Sequence, residues 1–361
     1  MESVRLARSG APLIDSAFAE PCCRIPAMTV TASGRVIVAW DVRADWRDLP
    51  GDFDLVYRTS DDHGRSWSAV HVLRRHGEGR GFGDASFISV PGTGQVLCWY
   101  AASTGKSYFT ADSHSGLELW LATSADDGTT WEHRELTGLK PDWVGGMFAA
   151  SGNGLVLQHG PRAGVLLQPF VLRDPTRGAD YAAVAMSGDG GLTWRLGAPV
   201  GPGCDESKVV EQVDGSVVLH ARATPRRLWA RSVDGGVTFT APVSDPALVD
   251  PGCNGGLTLW QDRLVCSLLN DETSRRRLVL RIADSSGDWS EAVDVDAGAA
   301  GYSVLAELAD GALGLAYEFG DYAGLRFCRI EPGEVGLDGS PSTLVALDGA
   351  PGFARPPVAA A

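Results

Sequence analysis

The sequence predicts an all-β protein, a six-bladed β-propeller, from three observations. An eight-residue pattern (Ser, any residue, Asp, any residue, Gly, any residue, Ser or Thr, aromatic) begins at Ser60, Ser124, Ser187 and Ser232. The copies start roughly 45 to 64 residues apart, a typical size for a propeller blade, so that 361 residues make about six blades. Between the copies the chain consists of short β-rich runs, and no amphipathic helix is evident.

Each copy of the octapeptide is typical of a β-hairpin turn. The copy from Ser187 to Trp194 follows the apolar run 182–186 and precedes another. In such a turn Asp accepts hydrogen bonds from backbone N–H groups, Gly supplies a positive φ, and the aromatic side chain packs beneath. A worn fifth copy lies around Asp284 to Trp289. We interpret these residues as structural, so the chemistry must be sought elsewhere.

The other strand candidates are short and separated by Gly, Asp and Pro, as at Asp214-Gly215 and Asp310-Gly311. They are residues 28–31, 36–40, 55–58, 154–158, 165–171, 217–221, 278–282 and 313–317. No linker interrupts them, so we expect a single domain over residues 1–361. From about residue 340 small residues and Pro become frequent, which predicts a loose C-terminal tail.

The charge of the chain argues against nucleic acid as a partner. It has 31 Lys and Arg against 45 Asp and Glu, a net charge of −14, whereas nucleic-acid phosphates need a basic surface. No apolar run approaches the roughly 18 residues of a membrane helix, so we expect no membrane insertion. Residues 1–12 lack the apolar core of a signal peptide, which predicts a cytoplasmic protein, although a secreted protein trimmed of its signal would look the same.

Cysteine and histidine give no sign of a metal site. The seven Cys are an odd number without CxxC spacing, so we expect reduced and mostly buried thiols. The seven His show neither HxH nor HExxH spacing. We therefore predict no metal and no cofactor.

Charged and polar residues that could carry chemistry stand where strand runs begin and end. They are Arg24 in Arg-Ile-Pro, Arg43 in Asp-Val-Arg, Asp48 in the polar loop 45–54, Asp84, Glu206, Arg222, the three Arg at 275–277, Tyr302 in Gly-Tyr-Ser, and Glu318 in Tyr-Glu.

In this order, and together with the four octapeptides as Asp boxes, these motifs resemble the bacterial-type exo-α-sialidases (neuraminidases). The resemblance covers about residues 20–320, and the stretches 81–84 (Gly-Phe-Gly-Asp), 148–154 and 250–254 are similar too. The family fold is a six-bladed propeller, which agrees with the blade count obtained from the repeats.

The resemblance implies three arginines that bind the carboxylate of a sialoside. Arg24 matches the first and Arg222 the second; Arg275 fits best as the third, with Arg276 as the alternative. Arginine suits this task because its planar fork pairs bidentately with a carboxylate and keeps its charge. Glu318 matches the carboxylate that holds the first arginine, since a cluster of like charges needs an anionic partner.

The resemblance also implies the reacting groups. Tyr302 matches the nucleophile, Glu206 the base that activates it, and Asp48 the general acid and base. A neutral tyrosine avoids the repulsion that a carboxylate nucleophile would meet from an anionic sugar. Arg43 matches an arginine that contacts the substituent at carbon 4, and Asp84 is expected to line the pocket.

The resulting prediction is an exo-α-sialidase that removes terminal sialic acid from sialylated glycans, with retention of configuration through a covalent sialyl-tyrosine intermediate. One alternative is a trans-sialidase, or a hydrolase of the deaminated sugar, on the same site. Another is a non-enzymatic carbohydrate-binding propeller, because Asp boxes also occur in proteins without hydrolase activity. The joint presence of Tyr302, Glu206 and Asp48 favours the enzyme.

Overall fold

The computed structural model describes residues 1–13, 18–77, 79–284, 287–337 and 342–347, and these are almost entirely β-strands and loops. The helical elements of the described residues are three short 3-10 turns, Thr137–Leu139, Gly160–Arg162 and Pro332–Val335. The strands are β1 Glu2–Arg8, β2 Cys22–Val30, β3 Val36–Arg43, β4 Phe53–Ser60, β5 His71–Arg74, β6 Gly81–Ser89, β7 Val96–Ser103, β8 Leu117–Ser124, β9 Glu132–Glu135, β10 Met147–Ala149, β11 Gly152–Asn153, β12 Leu155–Val156, β13 Leu166–Asp174, β14 Ala179–Ser187, β15 Arg195–Leu196, β16 Ser207–Glu211, β17 Val217–Ala221, β18 Arg226–Ser232, β19 Val243–Val249, β20 Gly256–Trp260, β21 Arg263–Leu269, β22 Arg276–Ile282, β23 Val293–Glu307, β24 Leu313–Phe319 and β25 Gly324–Ile330.

Hydrogen bonds join the described strands into five sheets. Two are plain four-stranded meanders, β2 to β5 and β16 to β19. A third runs β6 to β9 with β11 added parallel to β6, and a fourth has the order β10-β13-β14-β15 with β12 beside β13. The fifth has seven strands in the order β20-β21-β22-β23-β24-β25-β1.

The prediction of six separate four-stranded sheets is therefore corrected at β23. This strand has fifteen residues. Its first half, up to Ala299, pairs with β22, and its second half, from Ala300, pairs with β24. β23 thus joins β20 to β22 and β24, β25 and β1 into a single sheet. The lengths of the apolar runs in the sequence did not predict so long a strand.

Buried apolar side chains fill the space between successive sheets. Each gap contains its own cluster, and the first sheet packs against β24 and β25 of the last, so the sheets form a closed ring. Pairs that represent the five clusters between sheets are Trp40 with Phe327, Tyr57 with Phe87, Trp99 with Phe170, Val184 with Leu219, and Leu248 with Leu268. A sixth cluster, represented by Leu280 and Leu315, lies within the seven-stranded sheet. The fold is an all-β propeller, in which β2 contacts β6 and β23 near the centre and β20 contacts β16 and β23.

The four octapeptides form the predicted turns. In the first, Ser60 Oγ accepts from the Gly64 N–H at 2.8 Å, and Asp62 accepts from the Ser66 N–H at 2.8 Å and its hydroxyl at 2.6 Å. The ring of Trp67 packs edge-on against Phe327 of the neighbouring sheet, with centroids 5.0 Å apart. The turn therefore also fixes one sheet against the next. The worn fifth copy includes residues 285 and 286, which lie outside the described residues.

These turns predict a specific loss of stability in acid. Hydrogen bonds from the residue four positions on lower the pKa of Asp62, Asp126 and Asp189 to about 2. A folded-state pKa below the unfolded value of about 3.9 gives stability that is present above pH 4 and lost as the pH falls towards 2. A triple Asp→Asn variant at these positions should have a lower Tm at pH 7 and a shallower further fall between pH 4 and 2, as measured by circular dichroism. Parallel Tm curves for the triple variant and the exposed control Asp142→Asn would contradict this.

Several smaller predictions have outcomes in the fold. All seven cysteines are free and buried, as predicted. Across the described ranges, no helix has the length and apolar character needed to span a bilayer. Most of the predicted tail, residues 340–361, lies outside the described residues; in its described part, the Leu347 N–H donates to the carbonyl of Val295 at 2.8 Å.

Candidate active site

The predicted site residues converge on one cavity of about 580 Å³. They come from strands and loops of different sheets, which the closed ring brings to the same place. Those that line the cavity are Arg24, Asp48, Asp84, Glu206, Arg222, Arg275 and Tyr302. Arg43 and Glu318 are buried directly behind this lining, in contact with Asp48 and Arg24.

Three guanidinium groups surround the ring of Tyr302. The guanidinium carbons of Arg24, Arg222 and Arg275 lie 5.7, 5.9 and 5.6 Å from the ring centroid. Arg275 also donates to the hydroxyl of Tyr322 at 3.3 Å and to the carbonyl of Gly252 at 3.1 Å. Arg276 instead lies on the surface, 3.7 Å from Asp271. The structure thus places Arg275, and not Arg276, in the cavity.

Glu318 on β24 holds both the first arginine and the tyrosine. Its Oε1 accepts from Arg24 Nε at 3.3 Å and from the Ile25 N–H at 2.8 Å, and its Oε2 accepts from the Tyr302 N–H at 3.1 Å. Ile25 has φ 61°, and β2 shifts register after Arg24, so the bulge turns this backbone N–H towards the carboxylate. A Cβ at Gly301 would clash with Glu318 Oε2, which explains glycine before Tyr302.

Tyr302 and Glu206 meet at Arg222. The Nη1 of Arg222 donates to the Tyr302 hydroxyl at 2.8 Å and to Glu206 Oε2 at 2.8 Å. Burial raises the pKa of the Tyr302 phenol well above its ordinary value, although Arg222 and Arg275 act in the opposite direction. The phenol is therefore protonated at neutral pH, and it can act as a nucleophile only if a base takes its proton.

Asp48 stands at the mouth of the cavity, and its side chain is 77% exposed. Its Oδ1 accepts from Arg43 Nη1 at 2.8 Å and from Arg24 Nη1 at 3.1 Å. Partial desolvation by the cavity wall raises the pKa of the Asp48 carboxyl. The positive charges of Arg43 and Arg24 outweigh this effect, so the net result is a lowered pKa. The neighbouring Leu49 packs in a cluster with Phe148, so the loop is anchored to the cavity wall.

Arg43 and Asp84 form the next layer of the site. Arg43 is fully buried, donates to Asp41 at 2.7 Å and stacks on Phe53. It therefore lies behind the cavity lining and contacts protein groups, whereas the sequence resemblance implied a contact with the substituent at carbon 4. Burial raises the pKa of the Asp84 carboxyl well above its ordinary value, and nearby Asp41 adds to the rise while Arg43 opposes it. These surroundings favour the neutral form of the Asp84 carboxyl at the cavity wall.

Sequence reasoning missed one wall of the cavity. Its apolar side includes Tyr108, Phe109, Leu117 and Phe148, and its polar rim includes Asp180 and Asp205. Phe109 is 70% exposed and lies in a polar loop, a signal that could have marked it as a binding residue. The Tyr108 hydroxyl donates to Asp180 at 2.8 Å. Tyr322 was also missed; its ring lies 4.3 Å from the Arg24 guanidinium.

The chemistry of the cavity is that of an anion site next to proton-transfer groups. Three arginines can hold a carboxylate, the tyrosine can attack an electrophilic carbon, and two carboxylates can move protons. Within the described ranges, no group of three or more His, Cys, Asp or Glu side chains could hold a metal ion.

Fold and site together define an Asp-box propeller with an arginine-lined pocket. A family model described as a BNR repeat-like domain matches residues 56–315, and the chain belongs to this family. The sialidase of Micromonospora viridifaciens is 34% identical over 358 residues, which cover 91% of this chain and 54% of that protein. The chain thus spans about half the length of this relative. The resemblance to sialidases predicted from the sequence is confirmed.

Solved structures agree with this relationship. A Hadza microbial sialidase superposes with a TM-score of 0.79 at 25% identity, covering 86% of this chain and 66% of that one. The intramolecular trans-sialidase from Ruminococcus gnavus has a TM-score of 0.78 at 16% identity, with 92% and 99% covered. The second likeness concerns the fold alone.

Proposed function

We propose that the chain is an exo-α-sialidase, which releases terminal sialic acid from sialylated glycans with retention of configuration. The observation that carries the proposal is the Tyr302 phenol, enclosed by three guanidinium groups and joined to Glu206 through Arg222. A carbohydrate-binding protein would need the arginines, but it would have no use for a buried phenol beside a carboxylate.

The three arginines position the substrate. Arg24, Arg222 and Arg275 bind the carboxylate on the anomeric carbon, which places that carbon over the Tyr302 hydroxyl. Glu318 fixes the positions of Arg24 and Tyr302 relative to each other, because one carboxylate binds both. Asp84 lines the pocket, where its surroundings favour the neutral form of its carboxyl, and Arg43 supports Asp48 from behind the lining.

The reaction has two displacement steps. In the first, the Tyr302 oxygen bonds to the anomeric carbon, its proton passes to Glu206, and Asp48 gives a proton to the departing glycosidic oxygen. In the second, Asp48 takes a proton from a water molecule, which bonds to the anomeric carbon, and the tyrosine oxygen leaves and recovers its proton from Glu206. The substrate carboxylate competes with Asp48 for Arg24, which weakens the pull that lowers the pKa of Asp48 and favours its acid form.

We also propose that the ring has six blades within a single domain over residues 1–361. The seven-stranded sheet supports this count, because its pairing partners change between Ala299 and Ala300. On this reading β20 to β22 with the start of β23 form one blade, and the rest of β23 with β24, β25 and β1 forms another.

The test is release of fluorophore from a 4-methylumbelliferyl α-sialoside, together with proton NMR of the first-formed sugar. We expect turnover and the α-anomer of free sialic acid. Adding lactose distinguishes hydrolysis from transfer, and paired acetylated and deaminated substrates identify the preferred sugar. No turnover of either sugar between pH 4 and 8, combined with measurable binding of a sialoside, would replace the hydrolase with a carbohydrate-binding propeller.

A further inference from the structure

Lys208 is a fully buried lysine beside the proposed base. It lies on β16, two residues after Glu206. Its ammonium donates to the carbonyl of Ser151 at 2.6 Å and to Asn254 Oδ1 at 2.6 Å. Ser151 belongs to the chain just before β11 and Asn254 to the chain just before β20, so one ammonium joins β16 to the chain before two strands of other sheets.

These contacts determine which way the Asn254 amide faces. An ammonium only donates, so it must meet the amide oxygen. The amide nitrogen then donates to Glu206 Oε1 at 3.2 Å and to the Ser151 carbonyl at 3.0 Å. In the flipped orientation, an oxygen would face the Glu206 carboxylate and the Ser151 carbonyl, and the NH₂ group would face the ammonium. Lys208 therefore excludes that orientation.

Asn254 also contacts the strand that carries the nucleophile. Its backbone carbonyl accepts from the Ser303 N–H at 3.1 Å, next to Tyr302. Asn254 thus binds Glu206 through its side chain and β23 through its main chain. A shift of Asn254 would change the position of Glu206 relative to Tyr302.

We infer that Lys208 is a positioning residue of the site: through the amide of Asn254, its ammonium fixes the Glu206 carboxylate in the orientation that meets Arg222. The catalytic consequence rests on the proposed function, since Glu206 takes the proton of Tyr302. The structural part does not depend on activity, because it concerns the coupling between Lys208, Asn254 and Glu206.

The charges around Lys208 are consistent with this coupling. Burial lowers the pKa of Lys208 to about 7; Glu206 opposes this effect, Arg227 on β18 adds to it, and Cys266 on β21 opposes it. Burial raises the pKa of Cys266 to about 12, so its thiol is neutral. The carboxylate of Glu206 therefore favours the charged form of Lys208.

An NMR titration tests the coupling without any substrate. The chain has only three lysines, Lys106, Lys140 and Lys208, so ¹³Cε-lysine spectra contain three signals, and Lys208→Met identifies one of them. We expect Lys208 to titrate near neutrality, and its midpoint to fall by about one pH unit in Glu206→Gln and in Asn254→Leu, since each removes a group that favours the ammonium. Lys106 and Lys140 are internal controls. An unchanged Lys208 midpoint in both variants would overturn the inference.

Kinetics on the fluorogenic sialoside test the catalytic consequence. Lys208→Met and Asn254→Leu should each lower kcat by roughly tenfold to a hundredfold, with KM changed by less than about threefold, because the arginines that bind substrate remain. The double variant should resemble either single variant, since both act on one contact. Lys140→Met should leave both constants unchanged. Independent, multiplicative effects in the double variant would overturn the assignment.

The two experiments fail in different ways. If the unaltered chain cleaves no sialoside, the proposed function falls, and the NMR titration still decides whether Lys208 and Glu206 are coupled. If Lys208→Met does not fold, Lys208 itself can still be observed in Glu206→Gln and Asn254→Leu, with its signal identified as the one that titrates near neutrality.

Discussion

Tyr302→Phe is expected to lower kcat for sialoside hydrolysis by roughly 10³-fold or more while KM changes little. The variant removes the phenol oxygen and leaves the ring between Arg24, Arg222 and Arg275, so the carboxylate site remains. Arg222 loses one acceptor but keeps Glu206 at 2.8 Å. Separate measurement of kcat and KM with the fluorogenic substrate distinguishes the loss of the nucleophile from the loss of binding.

Tyr181→Phe is the matched control for this prediction. Tyr181 packs edge-on against Trp143, with ring centroids 5.9 Å apart, and does not line the cavity. Its variant should keep kcat within about twofold, because the half-buried ring stays in place and lies outside the cavity. A Tyr302→Phe variant as active as Tyr181→Phe would show that the bond to the sugar is made by another group.

Glu318→Leu is expected to destabilise the fold by about 3–5 kcal/mol, in addition to abolishing activity. Glu318 is fully buried, and its removal leaves the N–H groups of Ile25 and Tyr302 without their acceptor and Arg24 without its buried counter-charge. Arg24 still contacts Asp48, but that carboxylate is largely exposed to solvent. Urea unfolding at 25 °C measures the difference in the free energy of unfolding.

Glu272→Leu provides the comparison. This glutamate also pairs with an arginine, Arg226, at 2.7 Å, but its side chain is 55% exposed. Exposed pairs contribute less than about 1 kcal/mol, so the free energy of unfolding should change little. An equal decrease in the free energy of unfolding for the two variants would show that burial of the Glu318 pair does not increase its contribution to stability.

The parts of the fold that could be predicted from sequence are the local ones. The Asp boxes are predictable because each is closed within eight residues. The strand run 217–221 matches β17 because it is a short apolar run that follows the turn residues Asp214-Gly215. The double pairing of β23 could not be predicted, since the choice of partner strand is made by residues far away in the sequence. Blade number was inferred from spacing, which does not show where one sheet continues into another.

The site residues that could be predicted are those that belong to sequence motifs occurring in a fixed order along the chain. Arg24, Glu206 and Tyr302 were found because each has a recognisable sequence neighbourhood. Lys208 and Asn254 were not assigned roles, because nothing local indicates that an ammonium from one sheet will meet an amide from another. The contact of Asp48 with Arg24 likewise depends on how a loop folds back over a finished ring.

The contacts between the ends of the chain have a consequence for biosynthesis. β1 pairs with β25, and Arg24 binds a carboxylate 294 positions further along the chain. Because a ribosome makes β1 before β25, β1 must wait for its partner until every strand between them has been synthesised. A nascent chain released before Glu318 can form several Asp-box hairpins, but its Arg24 lacks the buried carboxylate that holds it. We therefore expect catalytic competence to appear only after β25 has been synthesised, so that activity in a translation reaction reports ring closure.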